Sequence, residues 1–524
     1  MFGRTRRSVR ARLAETGLPA GLQDFIARLV ARTRLRRDEQ MDIAAELSSH
    51  FREGLAVGKT ADALLASYGE VARSARELRA GAIAKRGPLD RAAGTLMKWS
   101  GVGVAVVSVA YLASAAVLYS REPVIAFDAR AAANARIPTA GPEGRALDIY
   151  IAALADENGR YREEWLGECL TAIEDALLKL DADASAEAEA KAAVRASFAD
   201  MRGTIDVLRG VRSRPALGLG IEADGLTDDA AVRFFGADAL QIADPHRSNS
   251  PLASSVLSIG LPQAAMLRRC AKILCFDARI AAMDGRGDDF ILSIEAALAA
   301  GGHAGEQGFL ISRLVEAGIR SMVLETIERA VARNPSAFDD AQFAQLEQIA
   351  RSQHTDFAVA LESEWHLLRD VVQRCYSDDG RGDGVLLPRA FGLLMRDLSS
   401  WSGTDGASLG AVRGSAAMEF LAGPLAATVS PSRREVEDRA RAYFTKAIAV
   451  VSAQTDEEHE ARRREFDAIA TEPSRSAGGL LEMVMPALDR TLEHPRKLEL
   501  AAERTADAVR AVRARRSEVN AAAQ

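Results

Sequence analysis

From Gly101 to Leu118 the chain runs without a charge, and its flanks extend the apolar stretch to Met97–Tyr119. A helix rising 1.5 Å per residue over that length crosses a hydrocarbon core of about 30 Å. Trp99 and Tyr119 stand near its ends, where interfacial rings sit, and Lys98 and Arg121 bracket it. The stretch begins after almost a hundred residues patterned as folded helices, which argues against a cleaved signal peptide. The expectation is an uncleaved signal anchor, with a single transmembrane helix inside 93–120. Gly101 with Ala105, and Ala110 with Ser114, are small residues four apart, a spacing that suits a helix dimer. A homo-oligomer is therefore among the partners the sequence admits.

Charge divides at the same place. Met1–Lys98 holds 19 Lys and Arg against 11 Asp and Glu, while the rest holds 48 against 62. Before the apolar stretch Arg79, Lys85, Arg86, Arg91 and Lys98 flank it; after it come Arg121, Arg130 and Arg136. Positive charge favours the cytoplasmic side. The expected topology puts the N-terminus in the cytoplasm of a bacterial cell, one pass through the inner membrane, and the large C-terminal part outside. The acidic balance of that part argues against nucleic acid, whose phosphates need a basic surface. Aromatics make up 5% of the chain, which leaves little to stack on sugars or bases.

Residues 1–92 read as a cytoplasmic head of short helices. Leu22, Phe25, Ile26, Leu29 and Val30 repeat at helical spacing over 20–34. Asp38 suits an N-cap for a second helix whose apolar stripe is Ile43, Leu47, Phe51 and Leu55, ended by Gly58. Thr60 caps a third through Leu64 and Leu65, closed by Gly69, and a fourth runs from Glu70 to Ala84. The run Glu46-Leu47, His50, Gly54, Gly58, Thr60, Leu64-Leu65 and Tyr68-Gly69 resembles the HAAS signalling domain, also met as the permease prefix domain, over about residues 20–82. Where that family carries a small residue and proline after the turn glycine, this chain has Glu70-Val71. The resemblance implies a cytoplasmic module placed before a membrane helix, with a partner-binding or regulatory role. His50 reads as a helix residue with no second metal ligand nearby.

Beyond a linker over 121–145, marked by Pro123, Pro138 and Pro142, helix follows helix with no convincing strand. The clearest unit is Ala271–Met283, a turn at Asp284–Gly287, Asp289–Ala299, a break at Gly301-Gly302, and then a long helix. On the last, Ile311, Leu314, Val315, Gly318, Met322 and Val323 share a face. Asn334-Pro335 stops it, and Ser336 with Asp339 opens the next. Helical domain parts are expected at 146–375 and 413–524, with a loop-rich boundary over 376–412. The fold class is all-α: a small N-terminal helical bundle, one transmembrane helix, and a large α-α superhelix-like domain, an irregular solenoid. The layout beyond the head resembles uncharacterised membrane-anchored helical proteins of bacteria, a likeness that carries no activity.

Chemical motifs are sparse. Glu362, His366 and Asp370 are four apart on one helix face and are proper ligands for a divalent metal, but such a site needs a ligand from a second element. Gly406-Ala407-Ser408-Leu409-Gly410 matches a nucleophile elbow that lacks its preceding strand. Ser377–Gly384 has the look of a calcium loop with arginine at a ligand position and no closing glutamate. Cys169, Cys270, Cys275 and Cys375 form no Cys-x-x-Cys and read as buried apolar residues. No catalytic residue, metal or cofactor is assigned. The expected function is a single-pass, membrane-anchored interaction or scaffold protein with protein partners. A membrane-bound signalling regulator working through the head, and an exported α/α-type hydrolase or lyase, are the alternatives.

Overall fold

The computed structural model describes residues 8–86, 88–138, 141, 144–182, 192, 195–196, 198–199, 201–221, 229–236, 255–256, 260–388, 416–471, 488 and 491–523. Among them every extended element is a helix, and the only strand-like pairings are isolated bridges such as Tyr376 with Leu386. The chain divides into two compact units, Met1–Ala113 and Ser114–Gln524.

The first unit contains α1 (Val9–Ala14), α2 (Ala20–Thr33), α3 (Arg37–Ala56), α4 (Ala61–Tyr68) and α5 (Val71–Lys85). It also contains most of α6 (Pro88–Ser120). Leu22, Ile26 and Leu29 from α2 meet Ile43, Leu47 and Phe51 from α3 and Leu64 from α4 in one core. The spacing of four on α2 and α3 is what puts these side chains on one stripe. Gly58 at φ +86° follows the last turn of α3, and Gly69 at φ +65° closes α4, conformations that favour glycine. Thr60 Oγ1 accepts the Ala63 N–H at 3.3 Å and starts α4. Helix α3 begins a little before the expected Asp38 cap, because Glu39 Oε2 accepts the Arg36 N–H at 2.9 Å and holds the first turn.

Helix α6 starts at a proline, whose fixed φ suits a first turn. It is the one helix among the described residues long and apolar enough to cross a membrane, over Gly103–Ser120. Val104, Val106, Val107 and Val109 on it are 62–68% exposed. Apolar side chains of this size gain about 1.5–3 kcal/mol each on leaving water.

The second unit continues through α7 (Ala129–Asn134), α8 (Leu147–Leu154), α9 (Glu163–Ala182), α10 (Arg202–Leu208), α11 (Asp229–Phe235), α12 (Pro262–Met283) and α13 (Gly287–Gly305). Then come α14 (Leu310–Arg333), α15 (Asp340–Arg351), α16 (Phe357–Cys375), α17 (Ala416–Val429), α18 (Arg433–Val451), α19 (Asp456–Thr471) and α20 (His494–Ala523). Helices α12, α13 and α14 pack on one another, α19 on α18, and α20 returns to lie on α14 and α15. Two large apolar cores result. Ile319, Val323 and Ile327 of α14 enter the core built around α12 and α13, while Leu310, Ala317 and Leu324 enter the core of α16, α18 and α20. Ile311, expected on the buried face of this helix, is 57% exposed. A helix buried on two sides has no single apolar stripe, so the expected face holds only in part: Val323 is buried and Leu314, Val315 and Met322 pack against the two cores, while Ile311 and Gly318 are exposed.

Helix α13 also runs straight through Gly301-Gly302, where a break was expected. A Cβ on Gly301 would stand 3.1 Å from Ile319 of α14, and one on Gly305 would collide with the Glu316 carboxylate. These glycines admit α14 at close range instead of ending the helix. At α15 the capping pair is Asp339 with Gln342, each accepting the other's backbone N–H at 2.8–2.9 Å, and Ser336 falls inside a short 3-10 turn, Pro335–Ala337.

Two glycine substitutions on α13 should act in opposite directions. A Cβ at Gly287 would lie 2.6 Å from the Ala337 carbonyl oxygen, a backbone atom that cannot step aside. Gly287→Ala should therefore cost about 1–3 kcal/mol. At Gly302 a Cβ meets nothing within 4 Å, so Gly302→Ala should stabilise by up to about 1 kcal/mol through helix propensity. Denaturant midpoints of the two variants should fall on either side of the parent's.

Candidate functional site

Within the head, α3 and α5 do not close on each other along their full length. They leave a groove of about 990 Å³. Asp38, Asp42 and Glu46 line its α3 wall, spaced by four so that they form one row. All three are exposed, and among the described residues no ion pair reaches Asp42 or Glu46. Ile43, Leu78 and Ala82 supply apolar surface between the walls, and Gly81 keeps the α5 side low, a Cβ there meeting nothing within 4 Å.

Both ends of the groove are fixed by packing. At one end Arg86 Nε and Nη2 grip the two oxygens of Glu39 at 2.8 and 2.9 Å, a two-point fork typical of arginine and carboxylate. The Arg86 guanidinium holds the Glu39 carboxyl below its ordinary range. At the other end Tyr68 stands edge-on to Phe51 at 5.1 Å and to Phe25 at 6.1 Å, with the exposed His50 ring 6.0 Å away. Burial, and then the Glu46 charge, push the Tyr68 hydroxyl up. The groove thus joins an apolar floor to a charged rim, with Asp38, Asp42 and Glu46 on the α3 wall and Lys85 and Arg86 at the end of α5.

Glu362, His366 and Asp370 do share one face of α16, but each holds a chain segment. Glu362 pairs with Arg136 at 3.0 Å, and Arg136 also donates to Ser363 Oγ at 3.0 Å. His366 packs its ring 5.2 Å from Phe127, and burial followed by the Arg136 charge lowers its pKa, favouring neutral imidazole. The buried Asp370 accepts from Ser255 Oγ at 2.8 Å, the Val256 N–H, Gln373 Nε2 and Arg374 Nε. Among the described residues no group of three His, Cys, Asp or Glu side chains is placed to hold a metal ion. Gln373, which sequence reading passed over, is the centre of this seam. Its Oε1 accepts the N–H groups of Ala126 and Phe127 at 3.1 and 3.0 Å, and its Nε2 donates to the Phe127 carbonyl at 2.7 Å. An amide does this well because it carries donor and acceptor together; nothing in the local sequence marks it.

The other acidic groups behave alike. Asp379 Oδ1 accepts the N–H groups of Arg381 and Asp383, which lower its pKa, and Asp383 Oδ1 accepts the Arg434 N–H at the start of α18. The loop once comparable to a calcium site is therefore a turn that anchors a helix. Buried Glu316 lies between Arg313 and Arg320 at 2.7 Å from each. Tyr150 Oη and His303 Nδ1 are 2.9 Å apart, and His303 Nε2 is 3.0 Å from the Arg214 carbonyl. That carbonyl only accepts, so Nε2 carries the proton and Nδ1 accepts from the tyrosine. Cys270, Cys275 and Cys375 are free and buried, and burial pushes each thiol up to about 12, which leaves no thiolate at neutral pH. Ser408 and its flanking glycines fall outside the described residues. No family model, no curated protein and no solved structure matches the chain.

Glu306 gives the second unit a testable pH response. Its Oε2 accepts the Leu217 N–H at 2.6 Å, and burial raises its pKa from 4.5 to about 7. A folded pKa above the unfolded one gives stability that is fully present below pH 4.5 and lost as pH rises through 7. Thermal melts of the parent should fall across that interval, and Glu306→Gln, neutral throughout, should flatten the slope.

Proposed function

We propose that the chain is a single-pass, membrane-anchored interaction protein of a bacterial inner membrane, with α6 as the anchor. The exposed valine surface of α6 carries this reading, because a lipid chain is the solvent in which such a surface is inexpensive. The basic head belongs in the cytoplasm and the acidic large unit outside, following the flanking arginines and lysines. The stacked helices α12, α13 and α14 support a superhelix-like scaffold. A membrane-bound regulator working through the head is the second reading, favoured by the carboxylate-rimmed groove and by the likeness of residues 20–82 to a HAAS domain.

Three measurements on one membrane preparation test the reading. The protein should stay with the pellet after an alkaline carbonate wash; release into the supernatant would sink the anchor. Protease added to intact spheroplasts should digest the large unit. Digestion that requires lysis would reverse the orientation. Finally, crosslinking in the membrane should capture a cytoplasmic protein on the parent, with recovery reduced at least about tenfold in Asp42→Lys/Glu46→Lys, since reversing charges at an interface costs several kcal/mol. Equal recovery would remove the groove from the partner interface.

A further inference from the structure

The last turns of α6 are covered where residues 103–110 are not. Ala115 is fully buried, although Leu112 and Val117 beside it are more than half exposed. Leu118 packs against the core that also receives Ala427 of α17. Tyr119 faces Gly423 of the same helix so closely that a Cβ there would stand 3.1 Å from the tyrosine oxygen and 2.6 Å from Pro388. Glycine is what lets α17 reach the end of α6. Helix α17 is itself apolar, Ala416–Val429 holding Glu419 as its one charge. Pro424 and Ala427 face inward, while Leu425 and Val429, four apart, stand 61% and 76% exposed. Val124 and Ile125, a few residues past the end of α6, are also exposed.

We propose that α17, through Leu425 and Val429, and the Val124-Ile125 turn rest in the lipid interface, so that the large unit touches the bilayer at a second place besides its anchor. The inference depends on α6 being the membrane span. Depth supports it. Ala115 lies about 7 Å along the helix axis from Ser120 at 1.5 Å per residue. An element that packs beside Leu118 and Tyr119 therefore sits at the level of the headgroup and acyl boundary, where interfacial helices bury their apolar face by about 5–10 Å. Continuity with the spanning helix selects lipid over a protein partner as the occupant: the face begins where the span ends.

Spin labels on the full chain in vesicles of phosphatidylcholine and phosphatidylglycerol test this. With Cys169→Ser removing the half-buried native thiol, single labels go on Leu425→Cys and Val429→Cys, on Val107→Cys inside the span, and on Glu457→Cys of α19 as a solvent reference. All four positions are exposed, so the labels leave the cores untouched. The ratio of oxygen to nickel-chelate collisions should rank Val107 highest, Leu425 and Val429 between, and Glu457 lowest. If positions 425 and 429 read like 457 while 107 reads immersed, the surface contact is wrong and the anchor stands. If 107 also reads like 457, both fall. Protection of 425 and 429 from both reagents would mean protein covers them, which overturns the lipid contact.

Discussion

Glu316 sits almost without solvent between two arginines of its own helix, and most of the large unit is arranged around that helix. Helix α14 lends side chains to both large cores, one face to α12 and α13 and the other to α16 and α20, and α15 and α20 bridge the same two cores through Leu346 with Ala350 and Val509 with Ala506. A helix buried on two sides has few places for polar groups. Arg313, Glu316 and Arg320 share one narrow strip, and Arg320 continues it to Gln353 at 2.7 Å, just after α15. A carboxylate stripped of water is tolerable only when its hydrogen bonds are replaced, and loss of either arginine would strand it. The glycines of α13 opposite this strip follow from the same demand, since Gly305 leaves room for the carboxylate itself.

Much of the polar chemistry in the second unit fastens irregular chain to helices. Gln373 binds the backbone at 126–127, Glu306 the backbone at Leu217, His303 the carbonyl of Arg214, and Asp383 the start of α18. Buried backbone groups outside helices need such partners. Several carboxylates and histidines that would attract notice as candidate catalysts are thus already bonded to the fold. The head differs. Its row of Asp42 and Glu46 takes part in no ion pair among the described residues.

The head was largely legible from sequence because its signals are local. Gly58, Thr60 and Gly69 mark boundaries by backbone rules, and Ile43, Leu47 and Phe51 fall on one stripe because only one side of α3 is buried. The large unit was legible as helices but not as packing. Gly301-Gly302 reads locally as a break, and only the neighbouring Ile319 shows why it is a contact. The periodicity of α14 was legible only in part because two cores claim it, burying Val323 and leaving Ile311 exposed. The spacing of Glu362, His366 and Asp370 is local to α16; what these side chains meet, Arg136, Phe127 and Ser255, comes from positions more than a hundred residues away. The groove has the same character, since its two walls are separated in sequence by α4 and two turns.

The position of the apolar window within α6 gives the helix a mechanical meaning. The helix begins at Pro88 and the charge-free run only at Gly101, and both lie in one unbroken helix that ends at Ser120. The segment ahead of that run spans about 20 Å at 1.5 Å per residue. It carries Asp90, Arg91 and Lys98, residues suited to water and headgroups. If the window marks the hydrocarbon, α6 is a stalk as well as an anchor. A stiff stand-off of that length lifts the start of the helix clear of the lipid surface and gives a partner arriving from solution room to approach.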